Sequence, residues 1–264
     1  MVAEAVDAVA VTRPRIRIQG AVKSFSGRVV VDIDDVVLGD RPIGGLIGPN
    51  GAGKTTLMRM IMHSTPLDRG RITLLPPGGQ EVVLSSMPAH RHAQHGVVKS
   101  NQVIMDFEKL TIWDSLLLAV AEARYEQPYR VFSEQTVFKR HEDEIRHYLD
   151  YFGFADPTAF ALSAGEKKLL DIVRCLLLKP TFLLLDEPTA GLPDELTEKV
   201  MTVVRDLAEA GTSVVIVEHD LNLIWSLCDE VLFMAEGSVI LRGDPQEIRA
   251  HRTVVEKYLG EGHV

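Results

Sequence analysis

The chain has 264 residues, with 28 Lys and Arg against 37 Asp and Glu, a formal net charge of −9; no overall cationic field exists to attract nucleic acid, which is not expected as a partner. Hydrophobic residues at 46% and charged residues at 25% are the proportions of a folded globular chain, and they exclude disorder as the main state. The two cysteines, Cys175 and Cys228, sit among apolar neighbours and build neither a disulfide scaffold nor a CxxC metal site, a usage that suits a reducing cytosol.

Residues 1–13 read as a flexible tail, because Glu4 and Asp7 interrupt the apolar run that a signal peptide needs. Arg15 to Ile18 alternates with period two and Val29 to Ile33 follows a Ser26-Gly27 break, which predicts two short strands joined by a turn. Ile43 to Ile47 is a short apolar strand that runs into a glycine-rich loop, and Thr55 to His63 carries Leu57, Met60 and Ile61 at helical spacing. Residues 76–96, rich in Pro, Gly, Ser and His, read as loops around a short strand at Glu81 to Leu84. Within them His90, His92 and His95 share neither one strand face nor one helix face, which favours a solvated loop over a metal site.

From Thr111 to Tyr151 the pattern is helical. Phe107, Trp113, Tyr125 and Phe132 are expected in the core of this insert, a few of them lining a groove for a short helix of a membrane partner. After Gly165 strands and helices alternate: a helix to Lys179, a buried strand Phe182 to Leu185, a helix Glu195 to Ala210, a strand Val214 to Val217 and a helix Asp220 to Cys228. A hairpin of Val231 to Met234 and Ser238 to Leu241 then turns at Glu236-Gly237. Apolar strands alternating with amphipathic helices imply an α/β fold with a mostly parallel sheet covered on both faces. The longest apolar runs, around Leu116 to Ala121 and Phe182 to Leu185, fall short of the roughly 18 residues a membrane span requires.

Gly48-Pro49-Asn50-Gly51-Ala52-Gly53-Lys54-Thr55 fits G-x-x-x-x-G-K-[ST] between a predicted strand and a predicted helix, the context that this pattern demands. Glycines let backbone N–H groups curl around an anion, and the helix directs its positive dipole end at the phosphates. Lys54 is placed to reach the β and γ phosphates, and the Thr55 hydroxyl to ligate Mg²⁺; Gly48 through Thr56 form the expected nucleotide site. Phe182 to Leu185 then ends in Asp186-Glu187, two carboxylates where a sheet edge meets a nucleotide. Asp186 is expected to hold Mg²⁺ through water, and Glu187 to act on the attacking water.

Leu162-Ser163-Ala164-Gly165-Glu166, ahead of Asp186-Glu187-Pro188-Thr189, resembles the signature loop of ABC-transporter ATPase subunits, and with Gln102 and His219 the resemblance covers nearly the whole chain. It implies the ABC ATPase fold: a RecA-like P-loop NTPase core, a small antiparallel β subdomain and an inserted α-helical subdomain. The expected divisions are residues 14–98 for the β subdomain and first part of the core, 99–162 for the helical subdomain, 163–241 for the signature helix and second part of the core, and 242–264 for a C-terminal extension.

The resemblance further implies a head-to-tail pair of ATPase subunits, of the same or a homologous chain, with ATP and Mg²⁺ between them. In that arrangement Phe25 stacks on adenine; the lesser alternative for an aromatic there is a core position beside the first hairpin. Gln102 senses Mg²⁺ and the γ-phosphate, His219 holds the γ-phosphate and the water, and Ser163, Ala164, Gly165 and Glu166 reach the nucleotide of the other subunit. Glu166 stands where the family often has Gln, and Pro193 where it has Asp or Asn. Ala190-Gly191-Leu192 and the segments Gly243-Asp244-Pro245 and Val255 to Gly260 look like the branched-chain amino acid and urea importer group, with a similar tail in lipopolysaccharide-transport ATPases. Expected partners are transmembrane permease subunits and a separate solute-binding protein, on the cytoplasmic face of the plasma (inner) membrane. A soluble ABC-type ATPase acting on ribosomes or DNA is the rival reading.

Overall fold

The computed structural model describes residues 13–100, 110–122, 134–159 and 162–256. Strand β1 (Arg15–Phe25) and strand β2 (Arg28–Leu38) form a hairpin longer than the sequence pattern suggests. Its turn residues Ser26 and Gly27 have φ of 50° and 80°, the paired positive values that let a two-residue turn follow the twist of its strands. Along β1, Ile16 and Ile18 are buried while Arg15 and Arg17 face outward, where they pair with Asp40 and Asp35. Strand β4 (Arg69–Leu75), not anticipated from the sequence, lies antiparallel against β1, and β5 (Val82–Val83) completes a four-stranded sheet of order β2-β1-β4-β5. Its opening Arg69-Gly70-Arg71 is too polar to mark a strand before β1 is there to pair with.

The second sheet has six strands in the order β10-β9-β3-β8-β7-β6. These are β3 (Ile43–Ile47), β6 (Val97–Lys99), β7 (Phe182–Asp186), β8 (Ser213–Val217), β9 (Glu230–Ala235) and β10 (Ser238–Gly243). Five run parallel, and β10 folds back antiparallel on β9. Their near-continuous apolar sequences follow from two covered faces. On β7, Phe182 and Leu184 pack toward helix α1 (Lys54–Ile61) and the first sheet, whereas Leu183 and Leu185 pack toward α4 (Ala164–Leu177), α5 (Asp194–Glu209) and α6 (Leu221–Leu227). Strands β8 and β9 divide in the same alternating way.

Helices α2 (Ile112–Glu122) and α3 (Glu134–Phe152) pack beside α4, joined by Ile112, Leu116, Ile145 and Leu149 in the core and by a hydrogen bond from Arg174 to the Ser115 hydroxyl. Trp113 is half-buried with the Arg146 guanidinium 5.3 Å above its ring; Phe107, Tyr125 and Phe132 lie outside the described residues. Helices α7 (Pro245–Ala250) and α8 (Arg252–Val254) follow β10 and bury Ile248 and Val254.

One expectation is overturned in the 76–96 segment. His92 is not in a solvated loop: it is fully buried, with Nε2 3.1 Å from the Leu84 carbonyl oxygen, and burial pushes its pKa down. Two 3-10 turns, Ala89–Arg91 and Ala93–His95, fold the backbone so that His92 points inward while His90 and His95 remain exposed.

Candidate functional site

Strand β3 delivers the chain into the loop 48–53, and α1 begins immediately after it. Gly48 and Gly53 have φ of 151° and 104°, and a Cβ on either would lie 1.9 Å from the Met234 carbonyl oxygen or 2.7 Å from that of Val30. Only glycine permits such close backbone approach at positive φ. Gly237, in the β9–β10 turn, donates its N–H to the Ala52 oxygen (3.1 Å) and accepts one from Asp32 (2.9 Å), so this turn supports the loop from below. Lys54 is buried and donates to the carbonyls of Gly48 (2.6 Å) and Pro49 (3.1 Å). Burial pushes its pKa down, against the pull of the Glu187 and Asp186 carboxylates. Thr55 and Thr56 are half-buried on the first turn of α1, and Asn50 and Gly51 are exposed at the loop's crest.

Asp186 closes β7, two strands from β3 in the same sheet, so its carboxylate and Lys54 both lie at the C-terminal edge where open parallel sheets bind ligands. It is 2% exposed, and neither carboxylate oxygen receives a hydrogen bond; Oδ2 lies 3.2 Å from Lys99 Nζ. A buried carboxylate with free lone pairs is the donor set a hard divalent cation takes, so the residues present fit Mg²⁺. Glu187 follows at φ 51°, a conformation that costs a non-glycine residue about 1 kcal/mol or more. Three bonds hold its backbone: its N–H donates to Val217 O (2.8 Å), and its carbonyl accepts from Lys168 Nζ (2.6 Å) and from the Ala190 N–H (3.4 Å). Its Oε1 is 3.0 Å from His219 Nε2, the imidazole arriving from the end of β8.

Glu218, which sequence reasoning did not single out, organises this junction. It is 2% exposed; Oε1 accepts from Thr189 N–H (2.8 Å) and Oγ1 (2.6 Å), and Oε2 accepts from His219 N–H (3.2 Å). Lys99 and Ser100 were missed as well: Ser100 Oγ is 3.0 Å from the Asp186 N–H, which donates to it. A charged residue at the end of an apolar strand reads as an ordinary strand end, and only the tertiary fold turns it inward.

Ser163 and Glu166 form a separate unit. Ser163 caps α4, accepting from the Glu166 N–H (3.2 Å), while Glu166 Oε2 accepts from the Ser163 N–H (2.8 Å) and hydroxyl (2.7 Å). The S-x-x-E pattern predicts this reciprocal cap. Ser163 and Ala164 are exposed, and Gly165 is half-buried with room for a Cβ only 3.4 Å from Leu192. Pro193 precedes α5 without a side-chain cap, yet its carbonyl accepts from Leu196 and Thr197, and Leu192 N–H reaches Thr189 O. Phe25 is 48% exposed at the β1 end with Lys23 Nζ 5.4 Å from its ring centre, so it is not a core residue. Gln102 lies outside the described residues.

Residues 36–190 match the family model described as ABC transporter. The chain belongs to that family. It is 30% identical over 258 residues to the high-affinity branched-chain amino acid transport ATP-binding protein BraF of Pseudomonas aeruginosa, covering 95% of this chain and 99% of that one. It is 32% identical over 239 residues to the lipopolysaccharide export system ATP-binding protein LptB of Haemophilus influenzae, covering 90% and 94%. Among solved structures, the nucleotide-free form of an ATP-binding cassette from an ABC transporter superposes with a TM-score of 0.73 at 24% identity, over 93% of this chain and 98% of that one. An ADP form of an ATP-binding cassette gives 0.73 at 24%, over 94% and 99%. The fold is therefore the ABC ATPase fold, and this ABC ATPase is an ATP-hydrolysing subunit of a transporter, with ATP and Mg²⁺ as its cofactors. Among the described residues, no helix is long and apolar enough to cross a membrane.

Proposed function

We propose that the chain powers the uptake of a small solute of the branched-chain amino acid type. It would act as one of two ATPase subunits that dock, at the cytoplasmic face of the plasma (inner) membrane, on transmembrane permease subunits to which a solute-binding protein delivers the cargo. The identity to BraF along nearly the full chain supports this cargo class. The similar match to LptB supports a second reading, lipopolysaccharide export, and transport assays on the co-purified membrane complex with leucine or lipopolysaccharide separate the two.

In the hydrolytic step, the backbone N–H groups of Asn50 to Thr56 cradle the phosphates and Lys54 exchanges its loop carbonyls for β- and γ-phosphate oxygens. Mg²⁺ supplies charge neutralisation on those oxygens; Thr55 and Asp186 would hold it, with Gln102 beyond the described residues. Glu187 takes a proton from the attacking water as the oxygen bonds to the γ-phosphorus and the bond to the bridging oxygen breaks, leaving the electron pair on ADP. His219, whose Nε2 lies 3.0 Å from Glu187 Oε1, would turn an imidazole N–H to the γ-phosphate when nucleotide is bound. Phe25 offers its exposed face to adenine. Ser163, Ala164, Gly165 and Glu166 of the second subunit complete the site from across the pair.

The observation that carries this reading is the Glu187 to His219 contact at 3.0 Å on the sheet edge that also presents Lys54 and Asp186. Glu187→Gln should keep ATP affinity, lose turnover by about 10²-fold or more and accumulate a dimer, whereas Lys54→Ala should weaken nucleotide binding itself. Wild-type turnover in Glu187→Gln overturns the assignment.

A further inference from the structure

The carboxylate that the mechanism reserves for Mg²⁺ already has a cation beside it. Strand β6 pairs in parallel with β7 in the register Val97 with Phe182, Val98 with Leu183 and Lys99 with Leu184. Val97, Phe182 and Leu184 share the α1 side of the sheet, and Val98 and Leu183 the other. Period two then puts Lys99 and Asp186 on the α1 side together, Asp186 two residues further along β7 than Lys99's partner. The side chains meet there: Lys99 Nζ is 3.2 Å from Asp186 Oδ2, with side-chain exposures of 12% and 0%. Lys99 also donates to the Ser100 carbonyl at 2.8 Å, and the Ser100 hydroxyl accepts the Asp186 N–H, so the ammonium is held at this position from two sides. Both Asp186 oxygens are buried and accept no hydrogen bond, which leaves Lys99 as the nearest charge to offset the carboxylate.

We infer that Lys99 is a resident counter-ion that competes with the divalent cation for Asp186 and so sets the Mg²⁺ concentration at which the site closes on nucleotide. This rests on Asp186 being a metal ligand, as proposed above. The physical reason is that one buried carboxylate cannot satisfy two cations at once. With Mg²⁺ near Asp186, the ammonium 3.2 Å from Oδ2 either stays and repels it in a poorly screened interior, or withdraws and gives up its ion pair. Both routes subtract from metal affinity. Lys99 is thus a positioning residue, acting on the metal through Asp186, and its ammonium is worth most to the protein when the metal is absent.

The test reads metal binding directly. Fluorescence of a mant-labelled ADP is followed while buffered free Mg²⁺ is raised, for wild type, Lys99→Gln, Lys99→Arg, Asp186→Asn and the Lys99→Gln/Asp186→Asn pair. Lys99→Gln should lower the Mg²⁺ midpoint by roughly ten-fold or more, given one full charge removed beside the ligand, and Lys99→Arg should stay within about two-fold of wild type by keeping that charge. In the Asp186→Asn background, residue 99 should make no difference. In thermal melts without Mg²⁺, Lys99→Gln should melt below wild type, and Mg²⁺ with ADP should narrow the gap, because the orphaned carboxylate regains a cation. An unchanged or raised midpoint in Lys99→Gln overturns the inference while leaving Asp186 as a ligand. An Asp186→Asn midpoint equal to wild type overturns the metal-ligand reading instead, and the inference with it. If Lys99→Gln fails to fold, recovery in the double variant supports the competition, and failure there as well overturns it.

Discussion

Glu218 gives the sharpest test of how the site is held. Its carboxylate, 2% exposed, accepts three hydrogen bonds, two from Thr189 and one from the His219 N–H, and so binds the loop after β7 to the loop after β8. Replacement by Ala strands the N–H of Thr189, a residue only 8% exposed, whereas exposed His219 can turn to water. One orphaned buried donor costs about 1–3 kcal/mol, and hydrogen bonds to a charged group contribute about 1.5–3 kcal/mol each. Because the variant also escapes the cost of burying the carboxylate, a net loss of about 3 kcal/mol is expected. For a chain of this size that lowers Tm by roughly 6–12 °C. Turnover should suffer separately: a displacement of His219 by about 1 Å relative to Glu187 is worth about 10²-fold in rate. Glu218→Gln keeps an acceptor for Thr189 but turns an NH₂ toward the His219 N–H, so it should fall between Ala and wild type in both measures. Scanning calorimetry and a phosphate-release assay provide the two readouts. A Glu218→Ala protein that melts within about 1 °C of wild type and hydrolyses ATP at the same rate would refute the reasoning.

Three further outcomes are expected. Gly53→Ala should abolish nucleotide binding in a fluorescence titration and lower stability by about 2 kcal/mol or more, since its Cβ would sit 2.7 Å from the Val30 carbonyl oxygen at φ 104°. The Ser163 hydroxyl and N–H hold the Glu166 carboxyl below its ordinary 4.5; the folded value being the lower, the cap's contribution is complete above pH 4.5 and is lost as pH falls through the folded value. Urea midpoints measured down the acid limb should therefore fall less steeply in Glu166→Gln. Burial pushes the Cys228 thiol up to about 12 and Cys175 well above its usual range, so a disulfide reagent should titrate neither in the native protein and both after denaturation.

The sequence made the glycine-rich loop and its place between strand and helix legible because G-x-x-x-x-G-K-T depends on backbone conformation that few residues but glycine adopt, and its flanking strand and helix carry distinct periods. The Asp186-Glu187 pair was legible for a similar reason: four apolar residues of a doubly buried strand end abruptly in charge. What escaped was set by tertiary context. Strand β6 has three residues, too few for a period to show, so neither it nor the Lys99 it carries could be read from a stretch rich in Gly and His. Nothing local distinguishes His92 from the solvated His90 and His95; two 3-10 turns decide which of the three enters the core. Phe25 could have been core or surface by composition, and its place beside a tight two-residue turn leaves it half exposed. Glu218 lies next to a histidine that the resemblance assigns to the site, yet its inward direction depends on Thr189, 29 residues away.

The turn at Glu236-Gly237 has a consequence of its own. Hairpin tips are ordinarily the most permissive places in a protein, where linkers, tags and whole domains are accepted. Here the tip is wedged between Asp32 of β2 and Ala52 of the glycine-rich loop, with Gly237 bonded to both. An inserted residue would be transmitted to the backbone beneath Lys54, so a site that surface engineering would select first is one this molecule can least accept.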